Sequence, residues 1–191
     1  MTTQHQLITG STRLFGVIGD PVEQVPAPSM MNSLFARLGI DAVLVPVHVR
    51  PARLAAVVRG LQSTENVDGL LITVPHKRAV WDWPTSPTAA LSDGANAMRC
   101  ARDDRWLADN FDGEGFVRGL HAAGHEPQGR HVWLVGAGGA GSAIAVSLLS
   151  VPNSRSAIGT STGCTRLPNG SQHTSRDAST ASQAPWPRTS R

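Results

Sequence analysis

The tightest constraint on this fold lies between His131 and Leu149. His131-Val132-Trp133-Leu134-Val135 reads as a strand aimed at Gly136-Ala137-Gly138-Gly139-Ala140-Gly141, and Ser142 to Leu149 reads as the helix behind it. In G-x-G-x-x-G the first glycine permits a tight turn and the second lets backbone approach a pyrophosphate. The third allows close helix-to-strand packing. The helix N-terminus adds unpaired N–H groups and the positive end of a dipole. A strand before and a helix after lift the motif above a chance glycine run. A dinucleotide loop is the first reading; a plain glycine-rich turn and a Rossmann loop for another ligand, such as a methyl donor, stand beside it. All but the plain turn commit the region to α/β layering.

The front of the chain has the same character. Leu14 to Gly19 is an apolar run ended by Asp20-Pro21, a buried strand meeting a loop. Pro26 and Pro28 bracket a loop, and Ser29 is expected to cap a helix that runs to Leu38 and stops at Gly39. Ala42 to Val47 is a second strand. Pro51 opens a helix whose Leu54, Val57, Val58 and Leu61 form one buried stripe. Leu70 to Val74 is a third strand ending at Pro75. This β-α-β-α-β order predicts a mostly parallel, layered α/β unit. A short helix and a strand pair, around Ala95–Cys100 and Trp106–Ala108, should follow. A helix from near Gly113 is expected to bury Phe116, Leu120 and Ala123 on one face.

Past Leu149 the pattern stops. From Val151 to Arg191 only Val151, Ile158, Leu167 and Trp186 are large and apolar, against 14 Ser and Thr. Such a segment cannot offset the entropy of ordering its backbone, so a disordered tail is expected. No strand is traced to Gly159-Thr160-Ser161, where an acid reading the ribose would stand about 20 residues on. The last 41 residues carry five Arg and one Asp, a net of +4 within a total of +3, which leaves −1 for residues 1–150. The high pI belongs to the tail, and specific nucleic-acid binding by the whole chain loses its support. The abrupt switch at Val151 reads as a truncated or out-of-frame end rather than a functional Ser/Thr-rich tail. Cys100 and Cys164 lack metal-ligand spacing and no metal is expected. No apolar run near the start and no stretch of membrane-spanning length argue for a cytoplasmic protein without a membrane partner.

Two polar clusters could carry chemistry. Of 17 basic residues, 16 are Arg and one is Lys77, in Thr73-Val74-Pro75-His76-Lys77 at a strand end. Lysine can exchange a proton where arginine cannot. An ordinary surface lysine is the plainer reading, and His76 reads as a loop-packing histidine. In Asn110-Phe111-Asp112-Gly113 the aspartate suits an N-cap on local grounds, and Asn96 suits a turn amide.

Taken in order, Gly19-Asp20-Pro21, Thr73-Val74-Pro75-His76-Lys77, the Asn96 strand, Asn110-x-Asp112-Gly113 and Val135-Gly136-Ala137-Gly138-Gly139-Ala140 resemble the shikimate dehydrogenase family from about Leu14 to about Leu149. The resemblance implies an N-terminal layered α/β substrate-binding domain, residues 1–110. An incomplete Rossmann-like NADP-binding unit, residues 111–150, and the disordered or out-of-frame tail, residues 151–191, would follow. It implies an NADP-dependent oxidoreductase of aromatic amino acid biosynthesis that interconverts a cyclic hydroxy acid, shikimate or a relative, and its keto form. NAD is the alternative cofactor, and a homodimer is left open. Lys77 would be the acid/base group on the reacting hydroxyl, with Asp112 in the same hydrogen-bond network. Thr73 and Asn96 would hold ring hydroxyls, and Gly136, Ala137, Gly138, Gly139 and Ala140 would bind the pyrophosphate. The competing readings are a substrate-binding module without redox chemistry and an inactive fragment.

The chain departs from the family pattern in places. Val25 and Ala27 stand where the family carries the serines of S-x-S that contact the substrate carboxylate. Leu71 replaces an Asn before the strand end, and Asp93-Gly94-Ala95-Asn96 departs from G-A-V-N. The family's C-terminal Gln and N-R-T loop for the 2′-phosphate cannot be placed, since Asn153-Ser154-Arg155 falls too early. A carboxylate without donors is costly to bury. The ligand is therefore expected not to be held like shikimate, and to be quinate or another polyol acid.

Overall fold

The computed structural model describes residues 7–80, 83, 85–101, 103, 105–151, 155–160 and 163–166. The expected tail, in its stretch 167–191, lies outside the described residues.

The first sheet contains β1 (Arg13–Gly19), β2 (Ala42–His48), β3 (Val67–Ile72), β4 (Ala97–Cys100) and β5 (Trp106–Asp109), in the order β2-β1-β3-β4-β5. The first three are parallel, and β4 and β5 close the sheet as an antiparallel pair. Successive residues of a strand point to opposite faces, so Ile18 and Val17 head two separate cores. Ile18 packs with Leu70, Ile72 and Val80 and with Leu54 and Val58 of α2 (Leu54–Gln62). Val17 packs with Leu44, Val22 and Phe35 of α1 (Ala27–Leu38). The stripe expected on α2 is present: Leu54 and Val58 are buried, and Val57 and Leu61 pack against them.

The helix start near Ser29 is corrected. α1 begins at Ala27 with Pro26 in the cap position, and the Ser29 hydroxyl donates to the Pro26 carbonyl at 2.9 Å. Pro28 lies in the first turn, where its missing N–H costs nothing, and no side chain caps the helix. Gly39 ends the helix at φ 65° as expected. Residues 51–53 form a 3-10 turn ahead of α2. β3 stops at Ile72, short of Val74, because the chain folds into a second 3-10 turn at His76–Arg78.

The short helix is α3 (Pro87–Ser92), capped by the Ser86 hydroxyl, which accepts from the Ala89 N–H. Beyond the first sheet come α4 (Asp112–Ala122), β6 (His131–Val135) and α5 (Gly139–Leu149). The burial expected on α4 is corrected. Phe116 and Ala123 are exposed, and the helix instead presses Gly113 against Ala143 and Ser147 of α5. The end of the pattern at Leu149 is corrected too. β7 (Arg155–Thr160) runs parallel to β6 in continuous register, from His131 opposite Arg155 to Val135 opposite Gly159, and β8 (Gly163–Arg166) turns back antiparallel. β6, α5 and β7 thus make a complete β-α-β unit.

Candidate active site

Parallel strands deliver their C-terminal ends to one edge of a sheet, where open α/β folds bind ligands. That edge carries Gly19 and Asp20, His48, and Thr73 followed by the His76–Arg78 turn. The turn directs Lys77 toward the start of α4, where its Nζ lies 2.5 Å from Asp112 Oδ2. The second carboxylate oxygen, Oδ1, accepts from Asn96 Nδ2 at 2.8 Å, and Asn96 Oδ1 accepts from the Phe111 N–H at 3.0 Å. Both oxygens of Asp112 are therefore engaged and the amine is held in one orientation. The Lys77 side chain is 14% exposed and that of Asp112 22%, open enough for a small ligand to touch both. The capping role suited to Asp112 on local grounds is not the one it has: Phe111 is the cap, and the carboxylate crosses to Lys77.

Asn110, one letter of the Asn110-x-Asp112-Gly113 motif in the sequence, ties the site together. It is 2% exposed, and its Nδ2 faces the Gly94 carbonyl at 3.0 Å, Ser92 Oγ at 3.3 Å and the Gly139 carbonyl at 3.4 Å. Its Oδ1 accepts from the Asp112 N–H at 3.1 Å. One side chain thus links α3, the glycine loop and the residue that pairs with Lys77. His76 is buried with Nε2 2.7 Å from the Val49 carbonyl, the packing role read from the sequence. Thr73 sits beside Gly19 at the end of β3, and its hydroxyl has no hydrogen-bond partner among the described residues.

The glycine loop faces this cluster. Gly136 has φ 98°, the left-handed turn that favours glycine. A Cβ on Gly138 would meet nothing within 4 Å, so that backbone is open to a ligand. A Cβ on Gly141 would strike the Gly136 carbonyl, which explains the third glycine. Gly139 has a role the motif does not announce: a Cβ there would come within 2.8 Å of Lys77 Cβ, so the lysine stem lies directly on the loop. The first turn of α5 has N–H groups without intrahelical partners and no acidic residue. These features fit a dinucleotide pyrophosphate. Arg78 touches the loop as well, its Nη2 donating to the Ala137 carbonyl at 3.4 Å.

Some expected features are not brought together. Val25 and Ala27 pack against the Val17, Val22 and Phe35 cluster, and neither side chain can hydrogen-bond. A strand does lead to Gly159 and Thr160, and it ends without a carboxylate for the ribose. Among the described residues no group of three or more His, Cys, Asp or Glu could hold a metal, and no helix is long and apolar enough to cross a membrane.

Residues 17–98 match the family model described as the shikimate dehydrogenase substrate binding domain. A shikimate dehydrogenase (NADP(+)) from Rubrobacter xylanophilus is 41% identical over 144 residues, 74% of this chain and 50% of that protein. The structure resembles shikimate 5-dehydrogenase from Listeria monocytogenes in complex with shikimate and NAD. The TM-score is 0.75 at 31% identity, covering 84% of this chain and 54% of that one. A shikimate dehydrogenase in complex with NADP⁺ gives a TM-score of 0.76 at 27% identity, covering 83% and 55%. The chain spans about half the length of the curated relatives it matches.

Proposed function

We propose that the chain is of the shikimate dehydrogenase family, on the match of residues 17–98 to its substrate-binding domain and the likeness to relatives such as the Rubrobacter xylanophilus enzyme, and that it is an NADP-dependent oxidoreductase that interconverts a cyclic hydroxy acid and its keto form. Residues 1–110 hold the hydroxy acid in this reading, and residues 111–150 begin the cofactor domain. The observation that carries it is the Lys77–Asp112 pair, held by Asn96 and backed by the glycine loop at Gly139.

Each residue then has a task. As the neutral amine, Lys77 takes the proton from the reacting hydroxyl, and as the ammonium so formed it returns that proton in the reverse direction. Asp112 keeps the amine aimed, and Asn96 holds Asp112 while offering its amide to a neighbouring ring hydroxyl. Thr73 contributes its hydroxyl to the ring. Gly136, Ala137, Gly138, Gly139 and Ala140 receive the pyrophosphate on backbone N–H groups and the α5 dipole. Bound NADP⁺ supplies the hydride acceptor. The protein's own contribution is placement and proton transfer. A cytoplasmic location and a homodimer belong to the same proposal and rest on the family resemblance.

A second reading is favoured by one observation, the half-length coverage of the relatives. It is a module that captures the hydroxy acid without redox chemistry. Calorimetric titration of the full chain with NADP⁺, shikimate and quinate separates the two, alongside an assay for NADPH formation. Saturable binding of NADP⁺ and one hydroxy acid, with NADPH formed, supports the oxidoreductase. A bound hydroxy acid without NADP⁺ binding supports the module, and binding of neither refutes both.

A further inference from the structure

We propose that Arg78 is a second anchor for the dinucleotide pyrophosphate, reaching it from the substrate-binding half of the chain. The inference rests on reading residues 136–141 as a dinucleotide loop. A pyrophosphate is strongly anionic, whereas the loop offers only N–H groups and partial dipole charge. Among the described residues two cations, Lys77 and Arg78, lie beside it. Lys77 is committed to Asp112, which leaves Arg78, the next residue of the same turn.

Arg78 is weakly held where it stands. Its Nη2 reaches the Ala137 carbonyl at 3.4 Å, the long end of the hydrogen-bond range. Its Nε faces Asp93 Oδ2 at 3.3 Å, with the two side chains 55% and 63% exposed. An ion pair so exposed to water contributes little. The guanidinium carries five N–H donors in a planar fork that matches phosphate oxygens in pairs. A phosphate oxygen arriving beside Ala137 is a better acceptor than the neutral carbonyl, and the exposed Asp93 is released at small cost. Asp93 is the competitor: it occupies the left-handed C-cap of α3 at φ 52° and draws Arg78 away from the loop.

Titration of the full chain with NADP⁺ and with NAD⁺, for wild type, Arg78→Ala, Arg78→Lys and Asp93→Asn, tests this. Arg78→Ala should weaken both dinucleotides by the same factor, roughly tenfold, as for one lost charge-assisted hydrogen bond. Arg78→Lys should recover part of the loss, because a point charge replaces the fork. Asp93→Asn keeps a residue type that tolerates the left-handed cap and frees Arg78, so it should tighten both. A purely structural arginine would give no such tightening. Unchanged dinucleotide affinity in Arg78→Ala, or a loss confined to NADP⁺, would overturn the proposal; the second result would place Arg78 at the 2′-phosphate. Wild-type chain that binds neither dinucleotide overturns the loop reading itself, and the proposal falls with it.

Discussion

Replacing Gly113 by alanine should destabilise the protein, while the same change six residues later should stabilise it. At Gly113 the added Cβ falls inside contact distance of the Ala143 carbonyl oxygen and Ser147 Oγ, and 2.7 Å from Ala143 C. Two of these three atoms are backbone in the middle of α5, which cannot move without disturbing the helix. Overpacking of this kind costs about 1–3 kcal/mol, and the upper part of that range applies when the obstacle is main chain. Alanine returns up to about 1 kcal/mol of helix propensity, which leaves a net loss of roughly 1–2 kcal/mol. For a chain of this size each kcal/mol moves the midpoint by about 2–4 °C, so Gly113→Ala should melt roughly 2–8 °C below wild type. At Gly119, in the same helix, a Cβ meets nothing within 4 Å. There the propensity gain stands alone, and Gly119→Ala should melt about 2–4 °C above wild type. Thermal unfolding followed by circular dichroism reads both. If Gly113→Ala melts at or above wild type, α4 and α5 do not cross at these residues and the packing argument fails.

Other outcomes follow from the site. On the proposed oxidoreductase reading, Lys77→Ala and Lys77→Arg should both abolish NADPH formation, since arginine keeps the charge but cannot release a proton; turnover by Lys77→Arg near the wild-type rate would rule out proton transfer by this residue. Asn110→Ala strips a buried group that serves Gly94, Ser92, Gly139 and Asp112. It should lower stability by about 1–3 kcal/mol, read as a shift in urea midpoint. Restoring hydroxyls with Val25→Ser and Ala27→Ser together should raise shikimate affinity by roughly tenfold or more. Micromolar shikimate binding by the wild type would show that the carboxylate is already well held. Gly139→Ala should push the Lys77 stem aside and weaken hydroxy-acid binding in calorimetry, and unchanged affinity would mean the loop does not position the lysine.

β1 was legible as an apolar run closed by Gly19-Asp20-Pro21, β2 as a β-rich run from Ala42, and β3 in its half from Leu70, ahead of Pro75. The α4 face was not, because hydrophobic periodicity points to Phe116 while the actual contact is made by Gly113, a residue with no side chain to signal it. β7 was silent for a similar reason. Ile158 is its one large apolar residue, and its place is set by backbone pairing with β6. Lys77 stood out as the one lysine, but its partner could not be read locally: Asp112 at a helix start looks like a cap until the chain folds back 35 residues to the amine. Asn110 was visible as a letter in a motif, and its four contacts come from three separate stretches of chain.

The lysine clamped between Asp112 and Gly139 also has a history in time. Lys77 is made 35 residues before Asp112 and 62 before Gly139. At roughly 5–20 residues per second of synthesis, its counter-ion follows after about 2–7 s and its backing after about 3–12 s. The first sheet is complete only at Asp109, three residues before the counter-ion and 30 before Gly139. For those 30 residues, roughly 1.5–6 s, the nascent chain holds a finished sheet and a Lys77–Asp112 pair that still lacks its backing, so the candidate site is completed after its scaffold.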